Sequence, residues 1–183
     1  MDTFISLQST PNPNAFKFVL NRKVKTEGKI GYKNAEECHT NPLARKLFSI
    51  PGISEIFFFD NVITVTHDGR EDWDVIEPQV RQVIEQAIGT HDPSFKAEKD
   101  DPNAARAAGG ELAKIEAIFD RTIRPALQAD GGELLIMSLQ NNVLTISYQG
   151  ACGSCPSATM GTLQAIENIL QQEYNPNIVV QAF

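Results

Sequence analysis

The feature that most limits the fold is a break in the hydrophobic pattern between residues 91 and 110. This segment contains two prolines, the charged run KAEKDD and a tail of small residues. Neither helical nor strand periodicity continues through it, so it predicts a flexible linker. The chain is thereby divided into a domain of residues 1–90 and a domain of residues 111–183, each of a size that holds one small core.

The first domain shows alternating short strands and amphipathic helices. The turn-rich segment TPNPN separates its first two strands, Pro51-Gly52 ends its first helix, and Asp60-Asn61 predicts a tight turn between two strands. Trp73 and the FFF run at 57–59 are interpreted as core or edge packing, with Phe58 as a candidate for an outward-facing residue on a partner surface. The predicted elements are strands at 4–9, 15–20, 54–59 and 62–67, and helices at 42–50 and 73–88.

In the second domain, apolar residues recur at helical spacing through 111–128. Pro125 lies inside this pattern and should kink or split the helix, and Asp130-Gly131-Gly132 should stop it. A hairpin around Asn141-Asn142, a helix at 157–173 and a final strand at 178–182 complete the domain. We therefore expect an α+β fold: two small α/β-sandwich-type domains with helices packed on short mixed or antiparallel sheets.

The charge of the chain excludes some classes of partner. The formal net charge is −7, and the segment 111–183 carries 3 basic and 7 acidic side chains. No basic field is present to bind a phosphate backbone, so we expect no nucleic-acid partner. No apolar run approaches the ~20 residues that span a bilayer. The start of the chain resembles neither a secretory signal nor an Arg-rich transit peptide, which predicts a cytoplasmic protein, or one of an organelle matrix if a transit peptide has been removed.

The cysteine pattern carries the chemistry. Cys152 and Cys155 lie in C-x-x-C spacing in the segment GACGSCP, between a predicted strand and the start of a predicted helix. Unpaired backbone N–H groups and the helix dipole stabilise negative charge there. Such surroundings lower a thiol pKa and favour thiolate, which binds metals and attacks disulfides. An odd total of three cysteines does not suggest a secreted disulfide framework.

Three hypotheses explain the pair. A dithiol oxidoreductase of thioredoxin type would need most of its core after the motif, and only residues 156–183 follow Cys155. A zinc-binding interaction module would need two more ligands, for which Cys38 and His39 are the candidates; Cys38 is expected to be a reduced cysteine that binds no metal. Alternatively, two copies of the chain each contribute Cys152 and Cys155 to one four-thiolate site on a two-fold axis.

The residues also carry a family resemblance. The segment IRPALQADGGELLIMSL, followed by NNVLTISYQGACGSCPSATMGTLQAIENIL, closely resembles the NifU-like C-terminal domain of Nfu-type iron–sulfur carrier proteins. The segments TPNPNAFKF and NPLARKLFSIPGISEIFFFDNVITVTHDGREDWDVIEPQV resemble the Nfu N-terminal domain. Together these matches cover nearly the whole chain outside the linker.

The resemblance implies a function and a ligand set. Cys152 and Cys155 would bind an iron–sulfur cluster, [4Fe–4S] with [2Fe–2S] as the alternative, that bridges a homodimer formed through the C-terminal domain. The protein would accept this cluster from an upstream scaffold and transfer it to apo-proteins, and would not be an enzyme. The N-terminal domain would have a partner-recognition or architectural role without cluster ligands.

Overall fold

The computed structural model describes residues 3–96, 110–153 and 158–183, with only the backbone at 158–160. The chain divides into two compact units, residues 1–100 and 101–183. Each unit has a sheet of its own and a separate buried core, which confirms the α+β class. Residues 97–109 of the predicted linker lie outside the described part of the chain, so its flexibility stays a prediction.

The first unit is built on a five-stranded sheet in which every neighbouring pair of strands is antiparallel. The strand order is β1-β2-β5-β4-β3, and residues of both helices belong to one core with the buried strand residues. Strand β3 was not predicted. The elements are β1 (Ile5–Ser9), β2 (Ala15–Leu20), β3 (Lys29–Tyr32), α1 (Pro42–Phe48), β4 (Ile53–Phe59), β5 (Val62–His67), α2 (Trp73–Ala87) and a 3-10 turn (Ile88–Thr90).

Phe58 faces inward. Strand β4 is an interior strand, because β3 pairs with it on one side and β5 on the other. The Phe58 side chain is fully buried in the core and meets the ring of Tyr32 at a centroid distance of 6.2 Å in a T-shaped arrangement. The expectation that Phe58 contributes to an outward partner surface is therefore wrong.

The segment after α2 remains attached to the first unit beyond the predicted boundary at residue 90. The ring nitrogen Nε2 of His91 lies 2.7 Å from the carbonyl oxygen of Val24. The backbone N–H of Thr26 donates to the carbonyl of Pro93 at 2.8 Å, and Phe95 packs against the core. These contacts hold the beginning of the predicted linker on the unit that precedes it.

The second unit has a three-stranded mixed sheet. Its strand order is β6-β7-β8, with β6 and β7 antiparallel and β8 parallel to β7. None of the helices in the described ranges of the chain is long and apolar enough to cross a membrane. The elements of the unit are α3 (Glu111–Thr122), α4 (Arg124–Ala129), β6 (Gly132–Gln140), β7 (Val143–Gly150), α5 (Ala158–Glu173) and β8 (Val179–Ala182).

The predicted interruption near Pro125 is confirmed. Helix α3 ends at Thr122, Ile123 separates the two helices, and Pro125 lies in the first turn of α4. Proline fits that position because its missing N–H has no partner to lose in a first helical turn. After the split, the short helix α4 ends at Ala129, and Asp130 lies two residues before the start of β6.

The hairpin turn between β6 and β7 depends on two residues with left-handed backbone. Asn141 and Asn142 have φ values of 51° and 65°, and asparagine tolerates this region better than other residues with a side chain. Val143 follows at once and pairs with Gln140. The two asparagines thereby fix the register of the strands that precede the cysteine loop.

Replacing Asn141 with valine should weaken the second unit by about 1–2 kcal/mol, because a β-branched residue is disfavoured at positive φ. Asn141→Gly is the matched control and should be neutral or stabilising, since glycine adopts positive φ without a steric cost. Amide hydrogen exchange in β6 and β7, measured along a urea series, follows this unit. Equal stability of the two variants would contradict the role of the turn.

Candidate metal centre

Cys152 lies in the turn that follows β7, and the turn is tied to the start of β6. The N–H of Ala151 donates to the carbonyl of Gly131 at 3.1 Å, and the N–H of Gly153 donates to the carbonyl of Gly150 at 2.9 Å. Gly150 has a φ of 67°, which lets the chain leave the strand in a left-handed conformation. Cys155, the second predicted ligand, lies outside the described residues.

The sulfur of Cys152 packs directly against the backbone of Gly132. A Cβ atom added at Gly132 would lie 2.4 Å from the Cys152 Sγ and 3.0 Å from its backbone nitrogen. Cys152 itself is only 6% exposed. No side chain fits between Gly132 and Cys152, so position 132 requires glycine. We call this close contact of the Gly132 backbone with the thiol the glycine floor; the sequence did not show it.

The segment Asp130-Gly131-Gly132 therefore has two roles. As predicted, it ends a helix, with Asp130 as the C-cap and Gly131 at a φ of 80°. It also contacts the cysteine turn, through the Gly131 carbonyl and the Gly132 backbone. The helix stop and the turn that holds Cys152 are thus parts of one local structure.

A buried ion-pair cluster lies beside this contact, centred on Arg124. The Arg124 Nε donates to Glu133 Oε1 at 3.0 Å, and its terminal nitrogens pair with Asp120 and Glu116. The Glu133 carboxylate is completely buried, and it also accepts hydrogen bonds from the Gln128 side chain and from the Leu134 N–H, both at 3.0 Å. Three carboxylates surround one guanidinium, so the cluster carries a formal excess of two negative charges.

The cluster keeps Arg124 charged although it is buried. Burial by itself would lower the pKa of Arg124, but the hydrogen bond to Asp120 and the charges of Glu116 and Glu133 raise the pKa above its ordinary value. A permanent cation between α3, α4 and β6 therefore joins the split helix to the strand that begins at Gly132. Sequence analysis missed this cluster; an arginine directly before a proline was its only visible signal.

Cys38 and His39 do not assemble a metal site among the described residues. Cys38 is fully buried in the first unit, and its thiol donates to the carbonyl of Ala35 at 3.3 Å. Burial raises the pKa of Cys38, an effect only partly offset by its backbone hydrogen bond and by Arg45. His39 is exposed and contacts the carbonyl of Glu36. Cys38 thus has the surroundings of a reduced core thiol, as expected.

The described part of the chain holds no group of three or more His, Cys, Asp or Glu side chains arranged to bind a metal ion. Cys152 is the described candidate ligand, in a glycine-flanked turn that leads toward α5, which begins at Ala158. A soft thiolate in such a turn suits iron–sulfur chemistry. Cys152 alone does not make a metal site, so further ligands would be needed to bind a metal or a cluster.

Comparison with known proteins supports the predicted family. Residues 5–91 match the model of the scaffold protein Nfu/NifU N-terminal domain, and residues 115–181 match the NifU-like domain. The NFU1 iron-sulfur cluster scaffold homolog, mitochondrial, of Homo sapiens is 32% identical over 170 residues, covering 92% of this chain and 67% of the human protein. The protein of the same name from Drosophila willistoni is 30% identical over 171 residues, covering 92% of this chain and 59% of the fly protein.

Among solved structures, a NifU-like protein from Saccharomyces cerevisiae has a TM-score of 0.47 at 24% identity. The match covers 51% of this chain and 86% of the yeast chain.

Gly132→Ala should destabilise the second unit by about 1–3 kcal/mol, because the new methyl group overpacks the contact with Cys152. Gly161→Ala is the control, because its Cβ meets nothing within 4 Å. Alanine in a helix should increase the free energy of unfolding by roughly 0.5–1 kcal/mol relative to glycine. Urea unfolding, followed by hydrogen exchange in β6 and β7, measures both. A Gly132→Ala chain as stable as the original would show that the sulfur does not occupy this position.

Arg124→Met should destabilise the second unit by about 3–5 kcal/mol, because it leaves the buried carboxylate of Glu133 without its cation. Arg121→Met is the control, near the end of the preceding helix α3. Arg121 pairs with Glu173, where the two side chains are 61% and 36% exposed, and such a pair contributes at most about 1 kcal/mol. Similar losses in the two variants, measured in the same unfolding experiment, would contradict a structural role for the buried cluster.

Proposed function

The chain belongs to the Nfu family of iron–sulfur cluster scaffold proteins, and on this basis we propose that it carries an iron–sulfur cluster and transfers it to apo-proteins. The family match over both domains supports this proposal, together with the position of Cys152 in a buried, glycine-flanked turn. The cluster is the cargo of the protein. The chain binds it and gives it up without changing it chemically, so we propose a carrier that is not an enzyme.

The proposed ligands are Cys152 and Cys155, whose thiolates would bind iron. Cys152 enters the site from the end of β7, where the Gly131 carbonyl and the Gly132 backbone fix the turn. Cys155 follows three residues later, toward the N-terminus of α5. Backbone N–H groups at a helix N-terminus favour the thiolate state that metal binding requires.

We propose that two chains share one cluster. A [4Fe–4S] cluster is held by four thiolates, and each chain has three cysteines. Cys38 is enclosed in the core of the first unit, so only Cys152 and Cys155 remain as donors from each chain. A homodimer with the two second units around a two-fold axis supplies all four thiolates without additional residues.

Transfer then takes place by exchange of ligands. Thiolates of a recipient protein replace the four carrier thiolates, and no electrons are gained or lost in the exchange. A site between two chains opens when the chains separate, so its cluster is easier to release than one enclosed by a single chain. An upstream scaffold protein would load the carrier by the reverse exchange, in a reducing compartment such as the cytosol or an organelle matrix, where thiols stay free.

Anaerobic reconstitution of the full chain should yield about four iron and four sulfide ions per two chains. Cys155→Ala should abolish uptake, because only one thiolate per chain would remain. Cys38→Ala is the control and should bind a full cluster. Iron and sulfide analysis, Mössbauer spectroscopy and the mass in solution measure the cluster type and the number of chains.

Three outcomes would contradict this proposal. A monomer that retains a full cluster would exclude the shared site. Zinc without iron in freshly purified protein would instead favour a zinc-binding interaction module. Iron-independent reduction of small disulfides at a low-pKa thiol would favour a dithiol oxidoreductase.

A further inference from the structure

The hydroxyl group of Tyr148 is a buried polar atom that the cluster-carrier function does not yet explain. Tyr148 is 5% exposed and belongs to the same core cluster as Cys152. Its hydroxyl oxygen is inaccessible to solvent and has no hydrogen-bond partner among the residues that the structure describes. A buried hydroxyl without a partner is uncommon in folded proteins, because its interactions with water are lost without replacement.

The register of the β6–β7 hairpin places this tyrosine next to the sulfur. Tyr148 pairs with Leu134, and two positions further along the ladder Gly150 pairs with Gly132. Residues two apart on a strand face the same side of the sheet and are separated by about 7 Å. Since the Cys152 sulfur packs on Gly132, Tyr148 occupies the neighbouring position on that face, at a distance a tyrosine side chain can span.

The electrostatic surroundings favour a phenol that keeps its proton. Burial raises the pKa of Tyr148 to about 12, and the negative charge available on Cys152 adds to this effect. Tyr148 is therefore a buried O–H donor, and it lies in the same core cluster as Cys152, the proposed ligand thiolate. Ionised sulfur accepts hydrogen bonds more strongly than neutral sulfur.

We propose that Tyr148 is a positioning residue that donates an O–H···S hydrogen bond to the sulfur of Cys152 when that sulfur binds the cluster. This inference rests on the proposed function, because it concerns the ligand sulfur of the same site. The hydrogen bond orients the Cys152 side chain over Gly132 and withdraws negative charge from one ligand sulfur of each chain. Hydrogen bonds to cluster sulfurs raise the reduction potential, because they stabilise the more negative, reduced state.

The test compares the reconstituted full chain with its Tyr148→Phe variant, which keeps the ring and removes only the hydroxyl. In the original chain, replacing H2O with D2O should shift the iron–cysteine stretching bands in resonance Raman spectra. Tyr148→Phe should lose the part of this shift that belongs to Cys152 and should have a more negative reduction potential. The isotope shift and the potential both respond to the hydrogen bond itself. If the ring had only a structural role, Tyr148→Phe would change neither of them.

Tyr174→Phe is the matched control in the same unit. Burial raises the pKa of Tyr174 first, with further contributions from the charge of Glu111 and a hydrogen bond to it, so this hydroxyl has a partner other than Cys152. Its removal should change neither the isotope shift nor the potential. A second variant, 3-fluorotyrosine at position 148, is a stronger donor and should move the potential in the positive direction.

The outcomes separate the two proposals. If the original chain binds a cluster but Tyr148→Phe shows the same isotope shift and potential, the hydrogen bond is excluded and the carrier function stands. If the original chain binds no cluster, both proposals are overturned. If Tyr148→Phe and Tyr174→Phe change the potential equally, the effect is not specific to Cys152, and the inference is likewise overturned.

Discussion

The contact between the Cys152 sulfur and the Gly132 backbone is the constraint on which the second unit depends. It joins the first residue of β6 to the turn after β7, two segments that are far apart in sequence but adjacent in the hairpin ladder. The Ala151–Gly131 hydrogen bond repeats the connection one residue earlier on each side. The turn is attached at two points to a strand end, which keeps the Cys152 thiol in one position. Under the proposed function, this arrangement would lower the ordering cost of cluster binding.

The buried charge cluster supports that strand end from its other side. Glu133 follows Gly132 directly, and successive side chains of a strand point to opposite faces. Arg124 and its carboxylates therefore hold β6 through one face, while Cys152 packs on the other. This arrangement places the excess negative charge of the Arg124 cluster on the face opposite the Cys152 sulfur, although Gly132 and Glu133 are adjacent in sequence.

Most of the fold could be predicted from local sequence signals. The features that were missed depend on contacts between residues far apart in the sequence. Pro125 and the Asn141-Asn142 turn act through their own backbone, so their effects were visible in the sequence. Strand β3 has only four residues and one of them is glycine, which leaves too little pattern to recognise. Strand β4 carries three consecutive phenylalanines at 57–59, so the sequence shows no alternation that would decide which face Phe58 takes. The glycine floor beneath Cys152 depends on the hairpin register, which composition and periodicity do not reveal.

The two described thiols differ in a way that bears on cluster sharing. Cys38 lies in the core of the first unit, where burial raises its pKa and a backbone carbonyl accepts its hydrogen bond, and both favour the protonated thiol. Cys152 is also buried, but it lies in a turn whose next residue, Gly153, is exposed. Under the proposed function, two chains would supply the four thiolates, and cluster binding would be coupled to dimer formation by mass action. A recipient whose thiolates replace those of one chain on the cluster would therefore also weaken the binding of the cluster by the other chain.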